Sequence, residues 1–150
     1  MRKTIVLFAV VFYAFCLVHV LEAQTIITET FDTGTLTASG ETAVTLPSGV
    51  WSFYQTSSGS GVSGYSVKLN SSSSSPGYIV TPSIVTIASI SFYAKAGSAG
   101  KTMTIQKSIA GGSFVEIATQ TLTASFAKYT ITLNDTSRDI RIKFMNTPGS

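Results

Sequence analysis

Apolar and polar side chains alternate residue by residue along most of this chain. Val44 and Leu46 flank Thr45, and Tyr65, Val67 and Leu69 alternate with Ser66 and Lys68. Ile90, Phe92 and Ala94 alternate with Ser91 and Tyr93, and Met103, Ile105 and Lys107 with Thr102, Thr104 and Gln106. The rhythm returns in Tyr129, Ile131 and Leu133, and again in Ile140, Ile142 and Phe144. Period two is the strand signature, because successive side chains of a strand point to opposite faces. No segment after residue 23 carries an apolar stripe of period 3.6. The breaks fall at 46–49, 57–64, 70–77, 96–100, 110–113 and 134–139, and they are rich in Gly, Ser, Pro, Asn and Asp. Those residues favour turns. The pattern predicts an all-β fold, an antiparallel two-sheet β-sandwich whose strands each bury one face. The serine run 71–75 precedes Pro76 and Gly77 but has strand patterns on both sides, so it reads as a surface loop within one domain.

The first 23 residues differ in kind. Arg2 and Lys3 precede an apolar stretch from Ile5 to Leu21, and Ala23 offers a small residue for cleavage before Gln24. That order is the layout of a secretory signal peptide. An uncleaved anchor is the rival, since the run approaches the roughly 20 residues that span a bilayer. Cys16 follows Phe15, where a lipoprotein signal has a small residue. The expected organisation is a signal peptide at 1–23 and a single domain at 24–150, placed outside the membrane after cleavage, secreted or at the cell surface.

Removing the leader changes the chemistry on offer. The only histidine, His19, and the only cysteine, Cys16, leave with it. Eight basic and six acidic side chains remain, a net charge of +2. Zinc then has no Cys or His to bind, and no Ser–His pair can form. Arg138, Arg141 and Lys143 are the one basic cluster, and the last two alternate with apolar neighbours as a solvated strand face does. Nucleic-acid binding needs a denser basic patch. About a third of the domain is Ser or Thr. The expectation is a binding or structural module rather than an enzyme.

Several segments in order carry a family resemblance. They are Glu29-Thr30-Phe31-Asp32, Leu46-Pro47-Ser48-Gly49-Val50-Trp51, Ser63-Gly64-Tyr65-Ser66-Val67-Lys68-Leu69 and Tyr78-Ile79-Val80-Thr81-Pro82. Ile90-Ser91-Phe92-Tyr93-Ala94-Lys95, a Gly-Gly hairpin and Asp139-Ile140-Arg141-Ile142-Lys143-Phe144 complete the series. Together they resemble the jelly-roll β-sandwich modules of MAM-like and choice-of-anchor type, which recur in secreted bacterial multidomain proteins. Val50 is an insertion relative to the pattern. The resemblance implies a closing strand with an Asp-Asp pair that does not follow Phe144 here, so a jelly roll lacking its closing C-terminal strand is expected. It also implies a structural calcium ion held in part by an acidic pair near the first strand, which Glu29 and Asp32 match. Calcium takes the carboxylate and carbonyl oxygens that this chain does possess.

Other motifs are weaker. Gly59-Ser60-Gly61-Val62-Ser63-Gly64 matches GxGxxG, but a strand pattern follows where a dinucleotide site has a helix. It reads as a hairpin loop. Ser108-Ile109-Ala110-Gly111-Gly112-Ser113-Phe114 resembles a degraded Asp-box hairpin, with Gly111 and Gly112 expected to take the positive φ angles of a tight turn. Carboxylates are the remaining acid–base candidates; Glu116 lies in the run 114–119, whose face the pattern leaves open, and sequence spacing does not pair it with Glu29 or Asp32.

Aromatic residues are the remaining resource for binding. Sugar rings stack on flat aromatic faces, and Trp51, Tyr54 and Tyr65 surround the 57–64 loop as candidate ligand-binding residues. Trp51 shares strand parity with Phe53, and Tyr54 has the opposite parity. Trp51 is therefore expected inside and Tyr54 outside. The function expected is an exported accessory or adhesion module that touches an extracellular glycan or cell-surface polymer. The alternatives are an N-terminal fragment of a secreted hydrolase and a structural spacer.

Overall fold

A computed structural model describes residues 27–32 and 36–147. The expected signal peptide lies outside the described residues. Among the described residues ten strands account for the regular structure: β1 (Thr42–Leu46), β2 (Gly49–Tyr54), β3 (Thr56–Ser60), β4 (Tyr65–Leu69), β5 (Tyr78–Val80), β6 (Ile87–Ala94), β7 (Thr102–Ile109), β8 (Val115–Thr121), β9 (Ala127–Asp135) and β10 (Ile140–Asn146). All pairings are antiparallel. A six-stranded sheet runs in the order β1-β2-β5-β10-β7-β8, and two smaller sheets pair β3 with β4 and β6 with β9. The fold is an all-β open sandwich of antiparallel sheets. Among the described residues there is no helix long and apolar enough to cross a membrane.

Register explains the two faces of the large sheet. Phe53 opposes Ile79, Ile79 opposes Phe144, Phe144 opposes Ile105, and Ile105 opposes Ala118. This row crosses five strands and lies inside. The adjacent rows must point outward, because side chains alternate across a strand. One runs Ser52, Val80, Lys143, Gln106 and Glu116, and the other runs Tyr54, Tyr78, Met145, Thr104 and Thr119.

Two apolar clusters fill the space beneath. Ile84, Ile87, Met103, Ile105, Leu122, Ile140, Ile142 and Phe144 form the larger, roofed by Ile90, Phe92, Tyr129, Ile131 and Leu133 of β6 and β9. Leu36, Ala38, Leu46, Trp51 and Phe53 form the smaller, flanked by Phe31 and by Val67 of β4. Lys107 points inward at the end of β7 and forms an ion pair with Asp135 of β9, tying the two layers together. Hydrogen bonding to Lys107, then to Ser137, pulls the Asp135 carboxyl down to about 2.

The segment 57–64 is not one long turn. Its first four residues belong to β3, and only 61–64 make the hairpin loop, closed by the Gly61 amide donating to the Gly64 carbonyl at 2.9 Å. The chain reaches β3 by leaving the large sheet at Gln55, which takes a left-handed φ of 50°. The return from β4 to β5 passes the same corner, where the Asn70 amide donates to the Gln55 carbonyl and the Gly77 amide to the Asn70 carbonyl, both at 2.9 Å. A Cβ on Gly77 would lie 2.3 Å from the Asn70 nitrogen and 2.4 Å from the Gln55 oxygen, so only glycine fits this crossing.

Candidate functional site

The outer face of the six-stranded sheet carries the densest grouping of aromatic and charged side chains away from the core. Tyr54 and Tyr78 are direct cross-strand partners on β2 and β5. Their rings stack 5.0 Å apart at an interplanar angle of 19°. The Tyr54 hydroxyl shares a 3.0 Å hydrogen bond with the Ser75 hydroxyl, which fixes the ring from the 71–75 loop. Lys143 lies diagonally across from Tyr78, two residues from its partner Met145. Its ammonium sits 4.8 Å from the Tyr78 ring centre and 4.0 Å from that of Phe114, just before β8. The order across the face is thus Tyr54, Tyr78, Lys143, Phe114.

This neighbourhood shifts both titrating groups. Burial raises the Tyr78 phenol, with smaller contributions from Glu41 and Tyr54. Burial also lowers the Lys143 ammonium, and Glu41 acts against that effect. Both directions follow from desolvation, which disfavours whichever form is charged. Glu41 belongs to this face because continuing the β1–β2 register by one residue, past Thr42 opposite Phe53, sets it beside Tyr54.

Lys143 departs from the plain solvated strand face expected for the basic cluster. Arg141 fits that expectation better, being half exposed and 3.8 Å from Asp139. The alternation of β10 gives Lys143 its outward direction, but its two ring partners come from distant segments whose register the pattern does not specify. Tyr78 belongs to a three-residue strand, too short to display a period, and Phe114 lies outside any strand.

Trp51 is in the core, 6 % exposed, with its ring edge-on to Phe31 at 5.1 Å. Its indole N–H donates to the Ser48 hydroxyl at 2.8 Å, and Ser48 donates to Glu29 at 2.6 Å. The polar handle of a buried Trp is thereby satisfied. Tyr65 is 53 % exposed, at the turn end of the β3–β4 hairpin beside a shallow hollow lined by Ser58, Gly59, Ser60 and Gly64. The three aromatic candidates therefore occupy the core, the outer face of the large sheet and the tip of a separate small sheet. They do not form one platform.

The acidic pair is divided in the same way. Glu29 accepts hydrogen bonds from the amides of Thr30 and Phe31 as well as from Ser48. Asp32 accepts from the Tyr65 amide at 3.1 Å, and its oxygen occupies the space where a Cβ on Gly64 would go. Among the described residues no group of three or more His, Cys, Asp or Glu comes together to hold a metal. Calcium takes roughly six to eight oxygens. Two carboxylates committed to separate tasks do not fit that requirement. They instead pin the segment 27–32 to the rest of the sandwich.

Two further motifs resolve as turns. GxGxxG supplies the end of β3 and the 61–64 loop, and β4 follows it. In the β7–β8 hairpin the positive φ angles belong to Ala110 (49°) and Gly111 (73°), not to Gly111 and Gly112. The Gly112 amide donates to the Ile109 carbonyl at 2.9 Å, so Ala110 and Gly111 are the central pair, shifted one residue back. Glu116 is exposed on edge strand β8, opposite Gln106, and accepts the Thr119 hydroxyl at 2.7 Å.

Comparison with protein-family models, with curated proteins and with solved structures found no match to this chain.

Proposed function

We propose that this protein is an exported, non-catalytic β-sandwich module that contacts a glycan through the Tyr54–Tyr78 face of its large sheet. The observation that carries the proposal is the stacked tyrosine pair on an outward face that also presents Ser52, Gln106, Thr119 and charged side chains beside Val80 and Met145. The edges of the stacked rings give a sugar apolar contact, while hydroxyl and amide side chains exchange hydrogen bonds with its OH groups. Tyr54 is ordered by its stack and by Ser75, which lowers the entropy lost when a ligand docks. Export is supported by the basic, apolar and small-residue order of residues 1–23, and secretion or cell-surface display follows from it. The resemblance to MAM-like and choice-of-anchor modules points the same way.

A glycan array with purified protein tests the proposal. Tyr54→Ala is expected to lower binding about tenfold, a loss of roughly 1.4 kcal/mol, while strand content is unchanged. Wild-type protein that binds no glycan would favour a spacer. Binding indifferent to Tyr54 would move the contact surface elsewhere.

A further inference from the structure

Resting on the glycan reading of this face, we infer that the glycan is acidic, and that Lys143, clamped between Tyr78 and Phe114, is the residue that reads its carboxylate. Lys143 is half-buried, and its ammonium touches two ring faces. Rings satisfy a cation electrostatically but accept few of its three N–H bonds. Among the described residues the ion pairs are Lys107–Asp135 and Arg141–Asp139, and Lys143 has no carboxylate within reach. Glu41 stands by Tyr54 at one side of the face and Glu116 two strands from Lys143 at the other. Glu41 acts on the ammonium only through its field, so the cation is held in place and part-desolvated with no carboxylate in contact. An incoming carboxylate supplies what the site lacks, with charge-assisted hydrogen bonds in surroundings that strengthen them.

The neighbours specify what carries that carboxylate. Beside the ammonium lie the stacked rings of Tyr78 and Tyr54, with Ser52 and Gln106 in the same row as Lys143. A pyranose bearing a carboxyl group matches both elements, its ring against the tyrosine edge and its carboxylate on Lys143. Arg141 lies two residues along the same strand face, about 7 Å away. It gives a second positive position for the next acidic unit of a polymer.

Titration of purified protein with polygalacturonate and with uncharged dextran tests the inference. Wild type is expected to bind polygalacturonate at least tenfold tighter than dextran, and the preference should shrink as salt is raised. Lys143→Met keeps the stem between the rings and is expected to abolish the preference. Lys143→Arg, which also stacks on rings, should keep it within about threefold. Arg141→Gln should cost less than Lys143→Met. Melting curves of all three variants separate lost binding from lost folding, with Lys143→Arg as the variant that must fold. Equal affinity for the two polymers overturns the acidic assignment, and an equal response to Lys143→Met and Arg141→Gln overturns Lys143 as its reader; either leaves the glycan reading standing. Binding of neither polymer, with none on the array, overturns both.

Discussion

The two halves of the sandwich interior solve one problem with different chemistry. In the larger half, β6 and β9 lower Ile90, Phe92, Ile131 and Leu133 onto Ile105, Ile142 and Phe144, and both layers contribute apolar side chains from regular strands. In the smaller half the roof strand β3 reads Thr-Ser-Ser-Gly-Ser and has no large apolar residue to contribute. Phe31, Leu36 and Ala38, from the irregular segment before β1, cover Trp51 and Phe53 instead. Polar side chains then hold that segment in place. Ser58 accepts the Leu36 amide at 2.8 Å, Thr56 donates to the Leu36 carbonyl at 2.9 Å, and Glu29 ends the Ser48–Trp51 chain. Apolar faces of regular strands close one half, with a single ion pair between its layers. The other needs hydrogen bonds to bring its apolar residues over the core.

Removing the anchor of the smaller half should have the largest effect. Trp51→Ala is expected to cost about 3–5 kcal/mol in urea unfolding, the usual range for a buried aromatic. Ile142→Ala, in the larger half, should cost about 2–5 kcal/mol. A Trp51→Ala penalty below about 1 kcal/mol would mean that the smaller half is not a packed core at all.

Ser48→Ala probes the polar tether directly. It leaves the Trp51 N–H and a Glu29 oxygen without their partner, a loss of about 1–2 kcal/mol for these part-buried bonds. Hydrogen exchange should then speed up around residues 27–32 and 36–48 while the amides of β7 and β10 stay protected, because local opening follows local contacts. Uniform acceleration over the whole chain would show that the two halves open as one unit.

The same contrast explains what could be read from the sequence. β4, β6, β7, β9 and β10 follow the period-two runs, since each buries one face against apolar neighbours. The opposed parity of Trp51 and Tyr54 was legible for the same reason, and their burial bears it out. β3 was not legible. A serine- and glycine-rich strand has no hydrophobic period, and its place in the sheet comes from pairing with β4 and from the Gln55 corner. The candidate site was half legible: Tyr54 follows from parity, but its meeting with Tyr78, Lys143 and Phe114 depends on strand order, which alternation does not encode. The roles of Glu29 and Asp32 as tethers to Ser48 and to the Tyr65 amide depend equally on long-range placement.

Between the layers, the Lys107–Asp135 pair makes the larger half sensitive to acid. Asp135 has a folded pKa of about 2 against an ordinary 3.8. A carboxyl depressed on folding contributes stability above its unfolded pKa, and that contribution is lost as pH falls through the folded value. The window is therefore about pH 4 down to pH 2, and the expected loss is at most ~2 kcal/mol. Lys107→Met should lower stability at neutral pH and flatten the acid limb of a Tm-versus-pH curve. An unchanged acid limb would assign the acid sensitivity to other carboxylates.

The smallest expected effect lies at the β7–β8 turn, at the edge of the larger half, where backbone rather than side-chain chemistry decides. Ala110 holds φ at 49°, a left-handed conformation in which its Cβ crowds the backbone at a cost of about 1–2 kcal/mol. Gly111 follows at 73°, and a Cβ there would meet nothing within 4 Å, so only its dihedral angle matters. Ala110→Gly relieves the crowding but gives the unfolded chain more freedom, and the difference should be a gain of about 0.5–1 kcal/mol. Gly111→Ala should lose a similar amount, since it adds the same crowding without a new contact. Melting temperatures of the two variants should therefore move in opposite directions by a few degrees. If Ala110→Gly lowered the melting temperature instead, the central pair of the turn would be Gly111 and Gly112, as the sequence pattern suggests. The lost methyl would then be the effect measured.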